Sequence, residues 1–254
     1  MANFFSQLKA RNKLLYWNGW CCLTGAIICA GMLLIDNTVI LGINAWIKPM
    51  KFFLSVFIFS WTMAWYMSYL KYRRSVLIYS IVLILVMIIE LGIISWQAAQ
   101  GKISHFNISS RFDGMLFAIM GIAIVLLTVW TFYITILFFV QRNFTVPMHY
   151  VWAIRLGLLL FIIFSFQGFM MVRQLAHTVG SPDGGPGLPV LNWSTAYGDL
   201  RVAHFFGTHS LQIIPLLAYY VTKTKGQVFF LTALYVTLVV VVLVQAMNKI
   251  PFIG

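Results

Sequence analysis

The sequence predicts an all-α integral membrane protein, a bundle of seven transmembrane helices with its N-terminus inside and its C-terminus outside. Of its 254 residues, 61% are hydrophobic and 9% charged, against about 25% charged in a soluble domain. Hydropathy divides into seven runs, near 14–35, 50–70, 76–97, 114–140, 151–173, 203–222 and 227–247, and about 20 apolar residues suffice to cross a bilayer. Threaded alternately, these runs put ten cations inside (Lys9, Arg11, Lys13, Lys71, Arg73, Arg74, Arg142, Arg155, Lys223, Lys225) and seven outside (Lys48, Lys51, Lys102, Arg111, Arg173, Arg201, Lys249). That is the sense of the positive-inside rule. Connections are short except at 178–200, so residues 1–254 read as a single polytopic domain. The net charge of +12 is dispersed among loops, with no soluble basic domain to bind nucleic acid.

The first run follows Lys9, Arg11 and Lys13 and lacks a small-residue cleavage site, which reads as a retained anchor. Residues 2–13, with Phe4, Phe5 and Leu8 against Lys9 and Arg11, have the makings of a short interfacial helix. Cys21, Cys22 and Cys29 all lie in the first run, as small apolar packing groups. Pro49 opens the second run at a first-turn position that tolerates its missing N–H. Lys48 and Lys51 flank it at a helix N-terminus, an unfavourable place for cations. They either hold an anionic partner or snorkel to the headgroups.

The third run carries Tyr79, Glu90 and Gln97 close to one helical face. Glu90 is the one carboxylate inside a hydrophobic run, either a functional group or a structural one that is neutral or paired with Lys or Arg. Next comes a polar connection containing His105, which is either a loop residue or one that folds inward. Ser110-Arg111-Phe112-Asp113 then has the capping-box form and makes Asp113 a helix cap. The fifth run contributes Gln167, Met170, Met171 and Gln174 on neighbouring faces, with Arg173 and His177 at its end. The methionines read as core filling. The long connection, rich in Gly and Pro, fits a cap over the outer mouth, with Trp193 and Tyr197 at the interface. Asp36 and Asp183 read as loop charges and Asp199 as an N-cap.

The sixth run is the richest. Arg201, His204, Thr208, His209 and Gln212 fall within one face of a 3.6-residue helix, and such a stripe is expected to turn inward because lipid cannot satisfy it. His204 and His209 are five apart, not the four of the familiar helical metal pair. The seventh run is almost wholly apolar and has no mid-helix lysine for a retinal Schiff base; it also has no histidine.

The leading expectation is therefore a membrane-embedded metal-dependent enzyme acting on a lipid-like or small anionic substrate in the outer third of the bundle. Glu90, His204 and His209 would hold zinc or copper, or iron, with His105 or His177 as a further ligand and Glu90 alternatively the catalytic base. Arg201, Lys48, Lys51, Gln97, Gln167 and Gln212 would contact the substrate or lipid headgroup. Alternatives are a haem redox protein with axial histidines, a transporter or proton-coupled carrier, and a structural subunit of a membrane complex. The transporter reading lacks an internal repeat. Partners are the lipid bilayer and an anionic small molecule or headgroup; a homo-oligomer is compatible, and nothing points to nucleic acid.

Overall fold

A computed structural model describes residues 3–254. The fold is 71% helix with almost no sheet. In chain order the elements are α1 (Phe4–Arg11), α2 (Lys13–Met32), β1 (Val39–Ile40), β2 (Ile43–Asn44), α3 (Ile47–Met67), α4 (Arg73–Ala99), α5 (Arg111–Val140), α6 (Met148–Gln174), β3 (Thr178–Val179), β4 (Gly198–Asp199), α7 (Leu200–Val221) and α8 (Lys225–Met247). β1 pairs antiparallel with β2, and β3 with β4. Among the described residues, six helices, α2 to α6 and α8, are long and apolar enough to cross a membrane, as in a multi-pass membrane protein. α7, which carries the polar stripe, is not among them.

The chain forms two compact units, Met1–Trp130 and Thr131–Gly254. In the first, Asn12 both ends α1 and caps α2, its side chain accepting from the Leu15 N–H at 3.0 Å and donating to Ser80 of α4 at 2.8 Å. Gly19 lets the Trp61 indole close onto α2; a Cβ there would stand 2.0 Å from its nitrogen. That nitrogen donates to the Tyr16 carbonyl at 3.2 Å. Pro49 lies in the first turn of α3, where no intrahelical N–H is required. Cys22 and Cys29 are buried as packing groups, whereas Cys21 is exposed.

Asp36 does more than a loop charge. Its carboxylate accepts from the Thr38 N–H at 2.9 Å and the Trp46 indole at 2.7 Å, closing the turn that carries β1 and β2. The indole, then Thr38, holds this carboxyl below its ordinary range.

In the second unit α6 and α7 form the tightest seam. Ser210 donates to the Gly157 carbonyl at 3.2 Å, and a Cβ on Gly207 would stand 2.0 Å from the Phe164 ring. These small residues let the backbone of α6 and the Phe164 ring pack directly against α7, the kind of close approach that drives helix association in lipid. α8 completes the core with Val228 and Val239, against Leu160, Phe164, Ala203 and Ile214. Its start carries a capping box of Thr224 and Gln227. Arg155, counted above as an inner cation, is buried on α6. It donates to the carbonyls of Phe138 at 2.9 Å and Gln141 at 3.3 Å, satisfying the end of α5.

The connection from α6 to α7 is closed at its base by the β3–β4 pair. Asp183 accepts from the His177 and Thr178 N–H groups, at 3.0 and 2.9 Å, and meets the His177 ring at 2.5 Å. Burial works to push the Asp183 carboxyl up, but the His177 ring and the two N–H groups outweigh it and hold the carboxyl well below the usual range. Asp199 caps α7 as expected, accepting from the Arg201 N–H at 3.0 Å. Trp193 packs among Phe205, Phe206 and Phe252.

Candidate functional site

Each unit holds part of the expected set. In the first, Tyr79, Glu90 and Gln97 share a buried face of α4, at 0%, 6% and 1% exposure. Gln97 gives its amide nitrogen to Asp113 at 2.9 Å. Asp113 also takes Lys102 at 3.1 Å and the Ser110 hydroxyl at 2.6 Å, while its own N–H donates to Ser110 at 3.0 Å. The Ser110–Asp113 tetrad thus does the capping its sequence predicts, and Gln97 and Lys102 extend it into a network. His105 folds partly inward: it meets the Ser104 hydroxyl at 3.1 Å, and its ring lies 5.5 Å from that of Phe52.

Glu90 differs from its neighbours. Its Oε1 is shut from solvent with no hydrogen-bond partner among the described residues. Lys48 is the charge that acts on it, so the two lie within electrostatic reach in the same unit. Lys51 opens the second turn of α3.

In the second unit, Gln167 sits about two turns before the end of α6. It is 7% exposed, and among the described residues neither its nitrogen nor its oxygen has a partner. His204 sits just over one turn into α7. The Phe164 backbone carbonyl bonds the His204 ring, while His204 Nδ1 is buried without a partner. That leaves Nδ1 as the ring nitrogen with no protein partner among the described residues. Gly168, next to Gln167, makes room for this ring: a Cβ there would touch His204 Cε1 at 3.4 Å. Phe164, Gln167, Gly168 and Met171 follow the i, i+3, i+4, i+7 spacing of one helical face. Nothing in the sequence marks the Phe164 carbonyl as the group that fixes the imidazole.

The other α7 residues are placed differently from the inward stripe expected. The most buried positions are Ala203, Gly207, Ser210, Leu211, Ile214 and Ala218, a face centred about 130° round the helix from the stripe. The reason is the α6 seam, which requires small residues at the contact. His204 stands at the stripe's inner edge. His209 stands further out, half-buried, its Nδ1 3.3 Å from Gln212 Oε1 and its ring 4.3 Å from that of Phe205. Arg201 bonds the Asp199 carboxylate at 2.6 and 2.9 Å and the Asn192 carbonyl. His177 is engaged by Asp183.

Among the described residues, no three His, Cys, Asp or Glu side chains gather as metal ligands would. A shallow hollow, partly open to solvent, lies among Thr178, Ser181, Asn192, Ser194, Tyr197 and Arg201. Gln167, His204 and His209 do not line it. In chemical terms, α6 contributes a buried amide at Gln167 and α7 a buried imidazole nitrogen at His204, neither with a hydrogen-bond partner among the described residues. Compared with known proteins, the chain matches no family model, no curated protein and no solved structure.

Proposed function

We propose that the chain crosses the membrane seven times, N-terminus inside and C-terminus outside, and that its second unit binds a lipid-like molecule through His204 and Gln167. α7 has 22 residues, about 33 Å of helix against a hydrocarbon core of about 30 Å, which supports it as the seventh span. The observation that carries the binding reading is the pair of unpartnered buried groups: Gln167 with both amide atoms and His204 with Nδ1. Each such atom costs about 1–3 kcal/mol. A ligand with a hydroxyl or amide donor for His204 Nδ1, and a polar group for Gln167, would remove that cost. An apolar body suits the surrounding wall. Glu90, with Oε1 buried and unbonded among the described residues and Lys48 in reach, is the corresponding candidate in the first unit for exchanging a proton or contacting a polar group.

A second reading keeps the transition metal, zinc or copper before iron, in a membrane enzyme for a lipid-like or anionic substrate. It is supported by the His204 bonding pattern, since a metal-ligating histidine commonly gives its other N–H to a backbone carbonyl. His177 and His209 lie within electrostatic reach of His204 in the same unit. Haem on His204 is the redox form of this reading.

One preparation separates these readings. Protein purified in detergent is extracted for lipid-like molecules by mass spectrometry, assayed for metals and scanned in the visible range, alongside Gln167→Leu and His204→Ala. The binding reading expects a stoichiometric organic molecule that both variants lose. The metal reading expects a stoichiometric metal lost from His204→Ala and kept in Gln167→Leu, and haem would show a Soret band. Wild-type protein carrying neither molecule nor metal overturns both.

A further inference from the structure

The first unit is electrically lopsided in a way that the ligand site does not use. Residues 1–35 and 52–89 contain six cations, Lys9, Arg11, Lys13, Lys71, Arg73 and Arg74, and no Asp or Glu. The fold gathers all six at one end. α1 ends at Arg11, α2 begins at Lys13, and the turn from α3 to α4 supplies the other three. Arg11 ties the two segments together, donating to Ser68 at 2.6 Å with its guanidinium 3.9 Å from the Trp65 ring centre. Lys9, Lys13, Arg73 and Arg74 are exposed. Beside them lie exposed aromatic rings, Phe4 at 51%, Phe5 at 44%, Trp17 at 49% and Tyr72 at 38%. The unit's acids lie elsewhere: Asp36 after α2, Glu90 deep in α4 and Asp113 at the start of α5.

We infer that this end of the first unit is a docking surface for the headgroups of anionic phospholipids. Clusters of four to eight Lys and Arg beside a membrane helix attract anionic lipid. Aromatic rings at the same level seat in the headgroup region, and a short amphipathic helix carrying both, as α1 does, lies in the plane of the interface. The stacked Arg11 is held in place by Trp65 and Ser68, so it loses little freedom on meeting a phosphate. This inference rests on charge and position in the first unit and is independent of what His204 and Gln167 bind.

The test uses the full chain in detergent micelles, where helix orientation in a bilayer plays no part. Phosphatidylglycerol or phosphatidylcholine is added, and retained lipid is counted by native mass spectrometry at low and high salt. Wild type is compared with a Lys13→Gln, Arg73→Gln, Arg74→Gln triple variant and with a Lys225→Gln, Lys249→Gln control. Expected are preferential, salt-sensitive retention of phosphatidylglycerol, a loss of at least about tenfold in the triple variant, and no loss in the control. Circular dichroism checks that the triple variant keeps its helix content; if it does not, the wild-type lipid preference and its salt dependence decide alone. Equal retention of the two lipids, or a folded triple variant that binds as wild type, overturns the inference. Displacement of phosphatidylglycerol by millimolar inorganic phosphate also overturns it, assigning the surface to free phosphate.

Discussion

In the first unit Gln97, 1% exposed near the end of α4, gives its nitrogen to Asp113, and that carboxylate is further held by Lys102 and Ser110. In the second unit Gln167, 7% exposed near the end of α6, gives its nitrogen and oxygen to nothing, and His204 across the α6–α7 seam leaves Nδ1 bare. Both glutamines are buried and interrupt apolar helices. The first completes a helix cap, and its cost of burial is met inside the protein. The second leaves its cost unmet, and buried polar groups are so consistently bonded that an exception calls for an occupant.

The strongest way to break this contrast is to make the same change at both places. Gln97→Leu removes a bond to a charged acceptor and should lower stability by about 1.5–3 kcal/mol. Gln167→Leu removes an unmet amide at similar volume and should raise the stability of ligand-free protein by about 1–3 kcal/mol. Opposite signs in thermal unfolding in detergent are expected; a matching fall in both would place Gln167 among ordinary structural residues. Next in size is Gly207→Ala. Its new Cβ would overlap the Phe164 ring, forcing α6 from α7 at a cost of about 1–3 kcal/mol. Because the Phe164 carbonyl orients His204, the same change should weaken ligand retention, which a purely local packing defect would leave intact.

How far this contrast was legible in the sequence depends on where each partner lies. The helices follow from apolar runs, and the Ser110–Asp113 cap from a local tetrad. Gln97 and Gln167 stand out equally, as amides in hydrocarbon, yet nothing in the sequence separates the bonded one from the bare one, because the partner of Gln97 lies sixteen residues away on another helix. Asp36 and Asp183 read as loop charges because their partners, the Trp46 indole and Thr38 N–H for one and the His177 ring with the His177 and Thr178 N–H groups for the other, converge only when the turn closes. The α7 stripe was legible as a pattern but not in orientation: small residues on an adjacent face, Ala203, Gly207 and Ser210, took the seam with α6 and left the stripe half-buried.

A smaller effect sharpens the comparison within the second unit, where Asp183 is as fully bonded as Asp113 is in the first. Its carboxyl is held well below the usual range, so the stability it contributes is fully present above the unfolded value of about 3.9 and is lost as pH falls through the lower folded value. Hydrogen exchange across residues 177–199, corrected for intrinsic rates, should show constant protection from about pH 4 to 6, below the range where the His177 ring loses its charge, and a fall below about pH 4. Asp183→Asn should show weaker protection with little dependence on pH over that range. Wild-type protection that weakens instead as pH rises from 4 to 6 would contradict the sign.

The smallest effect is expected at Lys102, and its size tests whether the first unit's network depends on charge or on buried hydrogen bonds. Lys102 reaches Asp113 at 3.1 Å, but its side chain is 48% exposed while that of Asp113 is 2% exposed. Water and salt screen the lysine end, so the pair should contribute no more than about 1 kcal/mol. Lys102→Met keeps the aliphatic stem and leaves Asp113 with Gln97, Ser109 and Ser110 as donors. It should therefore lower thermal stability less than Gln97→Leu does, and added salt should shrink the difference from wild type further. If Lys102→Met costs as much as Gln97→Leu, the network is held by its exposed cation, and the contrast between a bonded and a bare buried amide loses its basis in the first unit.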